Sequence, residues 1–203
     1  MSLNPRTAFF DGIAEKWDGW EDLPVLDRRL ATGLEELGVA AGETVVDIGC
    51  GTGNLTRALL ARLAPEGRVH AVDISPRMIE VARRKVTDAR VVWHAGDARQ
   101  LPLDDASCDR VICYSVWPHF ETREIVAAEL VRVLKPGGHL HIWHLSARQR
   151  INEIHAGAGE AVRRDILPLA TDTAALLAGI GLAVSTVIDT DDRYLVTATK
   201  PQR

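Results

Sequence analysis

VVDIGCGTGNLT, residues 45–56, joins an apolar run to a helical pattern through a glycine-rich turn. Gly49, Gly51 and Gly53 allow the backbone to turn tightly and to approach a ligand without Cβ clashes, and the next helix points its N-terminus at that ligand. A dinucleotide site has the spacing G-x-G-x-x-G and places a pyrophosphate on the helix end. Here the spacing is G-x-G-x-G, and Asp47 precedes it, which disfavours a pyrophosphate. The turn therefore predicts a ligand that carries positive charge at this point.

Two further carboxylates follow apolar runs at the positions where a nucleoside needs them. Asp73 ends the second predicted strand and can accept both ribose hydroxyls, while Asp97 ends the third and can accept from an adenine amino group beside the backbone N–H of Ala98. Open α/β sheets bind ligands at the carboxyl ends of their parallel strands. A lone glycine turn can be an ordinary turn, and a lone aspartate can cap a helix. Together these features predict S-adenosylmethionine, which has an ammonium group, a sulfonium and no phosphate.

Apolar runs alternate with helical patterns along the chain, which is typical of an α/β domain with a mostly parallel sheet. The predicted strands are 44–48, 68–73, 90–95, 109–115 and 139–145, followed by a terminal hairpin of 183–188 and 194–199. The predicted helices are 54–63, one capped by Ser75, 122–134, 147–164 and 173–179. An N-terminal helical cap region, 1–38, precedes the main domain, 39–203. Its aromatic residues either cap the ligand cleft or pack on the outside of the core: Phe9, Phe10, Trp17 and Trp20.

Length and composition limit the classes of partner. The 203 residues fit one domain with a single sizeable core, and the net charge of -4 gives no electrostatic reason to expect nucleic acid or an anionic membrane. No apolar run approaches the roughly 20 residues that span a bilayer, and the N-terminus lacks the pattern of a signal peptide. Three cysteines without metal-type spacing indicate buried free thiols and a reducing cytoplasm.

Four stretches of this sequence resemble the motifs of class I S-adenosylmethionine-dependent methyltransferases. They are DIGCGTG (47–53), AVDISPRMIEVAR (71–83), GDARQLPLDDASCDRVICYSVWPHF (96–120) and ELVRVLKPGGHLHI (129–142). The resemblance implies a Rossmann-like, doubly wound, seven-stranded sheet with an antiparallel last strand. It also implies roles for single residues. Those near the methionine end are Asp47, Gly49 and Gly51; those that frame the ribose and adenine are Asp73, Ile74, Met78, Asp97 and Ala98; and Tyr114 lies beside the sulfur.

The end of the fourth predicted strand bears on the methyl acceptor. Relatives that methylate exocyclic or amide nitrogens often carry Asn/Asp-Pro-Pro-aromatic there, whereas this chain has Tyr114-Ser115-Val116-Trp117. The resemblance therefore favours a small-molecule acceptor, and the acidic charge balance agrees. Residues 146–170 match no recognised pattern, and this is where the family builds its acceptor side. The sequence predicts neither the acceptor's identity nor an oligomeric state.

Three of the seven histidines are expected on the acceptor side: His119 after the fourth strand, His144 near the end of the fifth, and His155 on the next helix. They can supply a general base, since imidazole titrates near working pH. They can instead bind a metal, although their spacing is no recognised metal signature, or they can be unrelated structural residues. We take His119, His144 and Tyr114 as the candidate catalytic residues and predict no metal ligand. The other histidines are predicted to be structural: His70, His94, His139 and His141.

The predicted activity is in-line methyl transfer from S-adenosylmethionine to a small molecule, of the EC 2.1.1 type, with S-adenosylhomocysteine as product. Two alternatives stay open at this point. The chain can be a non-catalytic protein that binds S-adenosylmethionine for regulation. It can also be a methyltransferase with a histidine-bound metal or metalloid at its acceptor site. Transfer of an aminopropyl group is disfavoured, because the acceptor side offers Tyr114 and Ser115 where those enzymes use an acidic pair.

Overall fold

The computed structural model describes residues 4–202, in two compact units that meet in sequence after Asp97. The outermost residues of the predicted regions 1–38 and 39–203 lie outside the described part of the chain, and these two boundaries stay a prediction. In the first unit, helices precede and connect three parallel strands. The strands are β1 (Thr44–Ile48), β2 (Arg68–Asp73) and β3 (Val91–Ala95). The helices are α1 (Pro5–Ile13), a 3-10 helix (Ala14–Trp20), α2 (Leu23–Glu36), α3 (Asn54–Arg62) and α4 (Pro76–Lys85).

Short-range signals fix where the helices of the first unit begin. The Ser75 hydroxyl accepts a hydrogen bond from the backbone N–H of Met78 at 3.0 Å, and Pro76 occupies the first turn, so the predicted cap of α4 is confirmed. Asp22 caps α2 in the same way, through the N–H of Val25 at 3.1 Å. The predicted N-terminal helical stretch is therefore three separate helices rather than one.

The second unit contains four strands and three helices. The strands are β4 (Cys108–Tyr114), β5 (Leu134–His144), β6 (Ala183–Asp189) and β7 (Tyr194–Thr199). The helices are α5 (Arg123–Val133), α6 (Arg148–Ala156) and α7 (Ala170–Gly179), with a short 3-10 turn at Trp117–His119. β4 and β5 are parallel, whereas β7 runs antiparallel to both β5 and β6. The predicted terminal hairpin is thereby confirmed.

Three elements of the second unit differ from the prediction, one of them being α7, which begins at Ala170 rather than at residue 173. β5 begins at Leu134 rather than near residue 139, because Leu134 pairs with Cys108 before the register shifts to the pair of Arg110 and His139. The helix predicted over 147–164 ends at Ala156, where two nearby glycines lower helix propensity and irregular turns follow.

Seven strands form one sheet in the order β3-β2-β1-β4-β5-β7-β6, with six strands parallel and β7 antiparallel. This is the predicted doubly wound α/β fold. Most residues of β1 are buried in the first unit, and most residues of β4 and β5 are buried in the second. Within residues 4–202, no helix is both long enough and apolar enough to cross a membrane.

Candidate active site

The glycine turn is fastened to the end of β2 by backbone hydrogen bonds. The N–H groups of Gly49 and Cys50 both donate to the carbonyl of Val72, at 2.8 and 3.0 Å. The N–H of Gly51 donates to Oδ2 of Asp73 at 2.8 Å. These hydrogen bonds hold the turn and Asp73 next to each other.

Glycine is required in this turn for two physical reasons. Gly49, Gly51 and Gly53 all have positive φ angles of 68°, 52° and 84°, a region that side chains disfavour. At Gly53, which begins α3, an added Cβ would also lie 3.2 Å from Cβ of Ala82 and 3.3 Å from the Trp93 ring. At Gly51 the nearest atom to an added Cβ is 4.0 Å away, so a ligand can approach the backbone there.

Asp47 is a buried carboxyl with a single hydroxyl partner. Its side chain is 1% exposed, and its Oδ2 accepts from Oγ1 of Thr56 at 2.6 Å. Burial raises the pKa of Asp47 to about 7; the charge of Asp73 adds to this rise and the bond from Thr56 opposes it. A cationic ligand group beside Asp47 would favour its ionised form, which fits the predicted ammonium partner.

Asp73 is held in place by the backbone on both sides. Its Oδ1 accepts from the N–H of Ser75 at 2.8 Å, while its Oδ2 accepts from Gly51. A carboxylate oxygen can accept more than one hydrogen bond, so these two backbone bonds are compatible with the predicted ribose role. The backbone therefore fixes the orientation of the carboxylate before any ribose binds.

The remaining predicted cofactor residues of the first unit differ in exposure. Met78 is buried in a cluster with Ala14 and Val81, while Ile74 and Asp97 are half-buried. Phe10, Ile13 and Trp17 pack against that same cluster. The structure thus places part of the N-terminal region against a predicted cofactor residue.

Two N-terminal carboxylates that the sequence analysis did not single out bind this region. Asp18 accepts from Oγ1 of Thr52 at 2.6 Å and from Nδ2 of Asn54 at 3.1 Å, and Asp11 accepts from Oγ of Ser75 at 2.5 Å. Nε1 of Trp17 lies at the 4.0 Å contact of Gly51. The N-terminal aromatics therefore lie near the glycine turn and also pack on the core, so both interpretations of them stay predictions. The signal in the sequence for these contacts is that Asp11 and Asp18 lie among the aromatic residues of the N-terminal region.

In the second unit, Tyr114 ends β4 beside an aromatic partner. It is half-buried, and its ring lies 5.0 Å from that of Trp143, its register partner on β5. The next residue, Ser115, has a positive φ of 54° and donates its N–H to the carbonyl of Trp143 at 3.0 Å. Such strain in a residue other than glycine is common at functional sites. Ala98, the first residue of this unit, is buried.

His119 and His155 are brought together by a residue that the sequence analysis missed. Nδ1 of His119 lies 2.7 Å from Oδ2 of Asp165, and Nδ1 of His155 lies 2.8 Å from the Asp165 carbonyl oxygen. The two imidazole rings are 4.8 Å apart. Asp165 is buried in an irregular segment between α6 and α7, where no periodic pattern marks it.

His144 is buried close to this pair, with 2% of its surface exposed. Its pKa is lowered to about 3, mainly by burial, and repulsion from any positive charge on His119 or His155 acts in the same direction. Its ring meets that of Tyr194 edge-on at 5.6 Å. Nε2 of His144 has no hydrogen-bond partner among the described residues.

The other histidines stabilise the sheet. Nδ1 of His139 and of His141 lie 3.0 Å from the hydroxyls of Thr199 and Thr197 on β7, and His70 stacks on His94. Within residues 4–202, no group of three or more histidine, cysteine or acidic side chains is arranged to hold a metal ion. The predicted structural roles of these four histidines agree with their contacts.

Comparison with known proteins identifies the family. The family described as "Methyltransferase domain" matches residues 46–142. The chain is 36% identical over 160 residues to the methyltransferase GfsG of Streptomyces halstedii, covering 73% of this chain and 56% of that protein. It is 32% identical over 136 residues to the demethylmenaquinone methyltransferase of Symbiobacterium thermophilum, covering 64% and 54%. The chain thus spans about half the length of these curated relatives.

A solved structure supports the same fold. The S-adenosylmethionine-dependent methyltransferase from Aquifex aeolicus aligns with a TM-score of 0.77 at 21% identity, covering 93% of this chain and 97% of that one. The predicted resemblance is confirmed by the family match and by this fold. Residues 46–142 of the chain therefore match a methyltransferase domain, and the chain has the fold of the S-adenosylmethionine-dependent methyltransferase from Aquifex aeolicus.

Proposed function

We propose that this protein is an EC 2.1.1-type methyltransferase that acts on a small molecule in the cytoplasm. The observation that carries the proposal is the glycine turn, which follows the buried Asp47 in sequence and is hydrogen-bonded to Asp73. Bound S-adenosylmethionine supplies the chemistry: an electron pair of the acceptor bonds to the methyl carbon while the S–CH₃ bond breaks, and its electrons stay on sulfur. The product is S-adenosylhomocysteine.

The first unit supplies the groups that recognise the cofactor. Asp47 faces the ammonium group, because a buried carboxyl with a raised pKa gains most from a cationic partner. Gly49 and Gly51 allow the close approach of the ligand to the backbone. Asp73 accepts the ribose hydroxyls. Ile74, Met78 and Asp97 frame the adenine.

The second unit supplies Ala98 at the adenine, and Tyr114, His119 and His144 on the acceptor side. Their contribution is to align the acceptor and exclude water, which is worth several kcal/mol. The relatives named above are called methyltransferases, one of them acting by its name on demethylmenaquinone, and this favours turnover of a small molecule over a purely regulatory role.

The proposed compartment and the class of partner rest on the cysteines and on the net charge. Buried free thiols at Cys50, Cys108 and Cys113 support a reducing compartment. The net charge of -4 supports a small molecule rather than nucleic acid or a membrane surface as partner.

Titration calorimetry with S-adenosylhomocysteine tests the assignment of the cofactor site. Asp73→Ala should weaken binding by about 1–3 kcal/mol, because the ribose hydroxyls lose their acceptor. His119→Ala is the matched control and should keep the affinity of the unchanged protein while reducing turnover. Unchanged affinity in Asp73→Ala, or loss of binding in His119→Ala, would contradict the proposed division of roles.

A further inference from the structure

Asp165 fixes the tautomers of two imidazoles at once. An ionised carboxylate and a carbonyl oxygen are both acceptors only, so the Nδ1 atoms of His119 and His155 must be the donors. In the neutral rings, both Nε2 atoms then carry the lone pair. This is the arrangement in which an imidazole can take a proton through Nε2 while a carboxylate orients its other nitrogen.

Neighbouring side chains hold the segment that carries Asp165. Asn152 of α6 clamps residue Leu167 on both sides, accepting from its N–H at 2.8 Å and donating to its carbonyl at 3.2 Å. Arg123 of α5 donates to the carbonyl of Ile166 at 2.7 Å. Side chains on two helices therefore fix an irregular segment around one buried carboxylate. Such support is what a positioning residue needs.

His144 adds a polar group suited to a ligand oxygen. It stays neutral because its pKa is about 3, so one of its ring nitrogens is a donor and the other an acceptor. Leaving a buried polar atom such as its Nε2 unpaired costs about 1–3 kcal/mol. A ligand oxygen that bonds to His144 recovers this free energy.

The ring pair of Tyr114 and Trp143 indicates the shape of the acceptor. The ring centres lie 5.0 Å apart at the end of β4 and β5 in this unit. Tyr114 is half-buried and keeps exposed surface, so it can contact a planar ligand. A half-buried tyrosine in such a ring pair favours a planar acceptor.

We propose that the acceptor is a planar molecule with an acidic hydroxyl, a phenol or an enol, that His119 removes its proton, and that Asp165 positions His119. This inference rests on the proposed function. The O–H bond breaks and its proton passes to Nε2 of His119, as the oxygen's electron pair forms the bond to the methyl carbon and the C–S bond breaks. The imidazolium then returns the proton to solvent. His144 bonds to an oxygen of the acceptor.

The electrostatic neighbours of His119 support proton uptake there. The carboxylate of Asp165 lies 2.7 Å from Nδ1 of His119 and attracts a positive charge on that ring, while burial disfavours a charge on His155 and on His144. Burial lowers the pKa of His155, as it does that of His144. Arg123 interacts electrostatically with Asp165 and is tied to backbone carbonyls. Of these three imidazoles, His119 is thus the one whose Nδ1 lies directly against a carboxylate oxygen, whereas Nδ1 of His155 lies against a backbone carbonyl.

The test compares two probes that differ in one atom, 2-naphthol and 2-naphthalenethiol, at pH 8 with S-adenosylmethionine. The thiol is largely ionised at this pH and needs no base, whereas the naphthol needs one. His119→Gln should reduce kcat/KM for the naphthol by about 10²–10⁴-fold, the usual contribution of a general base. The same variant should change kcat/KM for the thiol by less than about threefold.

Asp165→Asn tests positioning, and it should lower the naphthol rate relative to the thiol rate by about tenfold or more. Asp172→Asn, an exposed acid on α7, is the control and should leave both rates unchanged. Equal losses on both probes, or no methylation of the naphthol by the unchanged protein, would overturn the inference. Binding of S-adenosylhomocysteine is measured in parallel, so a failure of the cofactor site is told apart from a failure of this proposal.

Discussion

Asp47→Asn should make the ligand-free protein more stable at neutral and alkaline pH. Burial raises the folded-state pKa of Asp47 from 3.8 to about 7, so the folded protein binds this proton more tightly than the unfolded chain does. The stability that the protonated carboxyl contributes is therefore fully present below pH 3.8. That stability is lost as the pH rises through about 7. At about 1.4 kcal/mol per pKa unit, the total loss is about 4 kcal/mol. Asparagine keeps an acceptor for Thr56 and never ionises, so it removes this loss.

The assay is urea unfolding of both proteins between pH 5 and 8. The free energy of unfolding of Asp47→Asn, minus that of the unchanged protein, should rise by about 3 kcal/mol over this range. Asp104→Asn, at an exposed carboxyl, is the control and should give a flat difference. A difference that stays flat for Asp47→Asn as well would refute the argument that this carboxyl is buried and proton-bound.

Ligand binding should convert Asp47 from its protonated to its ionised form. An ammonium group beside Asp47 favours the ionised form, so binding of S-adenosylhomocysteine at pH 6 should release about one proton. Calorimetry in two buffers with different ionisation enthalpies measures this number. Asp47→Asn should bind more weakly and should not release that proton.

Three further predictions concern stability. Gly53→Ala should cost about 1–3 kcal/mol from its strained φ and close contacts, whereas Gly12→Ala in α1, with no atom within 4 Å, should cost nothing; urea unfolding compares them. His144→Phe should make the free energy of unfolding fall less steeply as the pH is lowered. In the folded protein the pKa of His144 is about 3, below the ordinary 6.5, so the stability that the neutral ring contributes is lost as the pH falls from 6.5 to 3. An unchanged acid slope would contradict this. Thr173→Val should cost about 1–3 kcal/mol because the buried Tyr194 hydroxyl loses its 2.7 Å partner; Thr173→Ser should restore most of it, and thermal unfolding measures both.

The cofactor side was predictable from sequence because its signals are local. The spacing of Gly49, Gly51 and Gly53 predicts a tight turn, because glycine adopts backbone angles that other residues avoid. Asp73 directly follows an apolar run, which places it at the end of a strand. Parallel strands then bring such residues to the same edge without further information. Ser75 and Pro76 likewise mark a helix start within two residues.

The acceptor side was only partly predictable because its key contact is long-range. His119 and His155 could be placed after recognisable elements, but Asp165 is 46 residues from His119 and lies in a segment with no period. Asp11 and Asp18 were missed for the same reason, because their partners lie 34 to 67 residues away in sequence. These contacts depend on how irregular segments pack, and hydrophobic periodicity in the sequence does not predict such packing.

The central claim is that the glycine turn with its acidic partners holds S-adenosylmethionine. The most direct measurement is a calorimetric titration of the purified protein with S-adenosylhomocysteine, with NAD as the control ligand. We expect saturable binding of S-adenosylhomocysteine and none of NAD, because Asp47 favours a cation and disfavours a pyrophosphate. Binding of NAD without binding of S-adenosylhomocysteine would contradict the account.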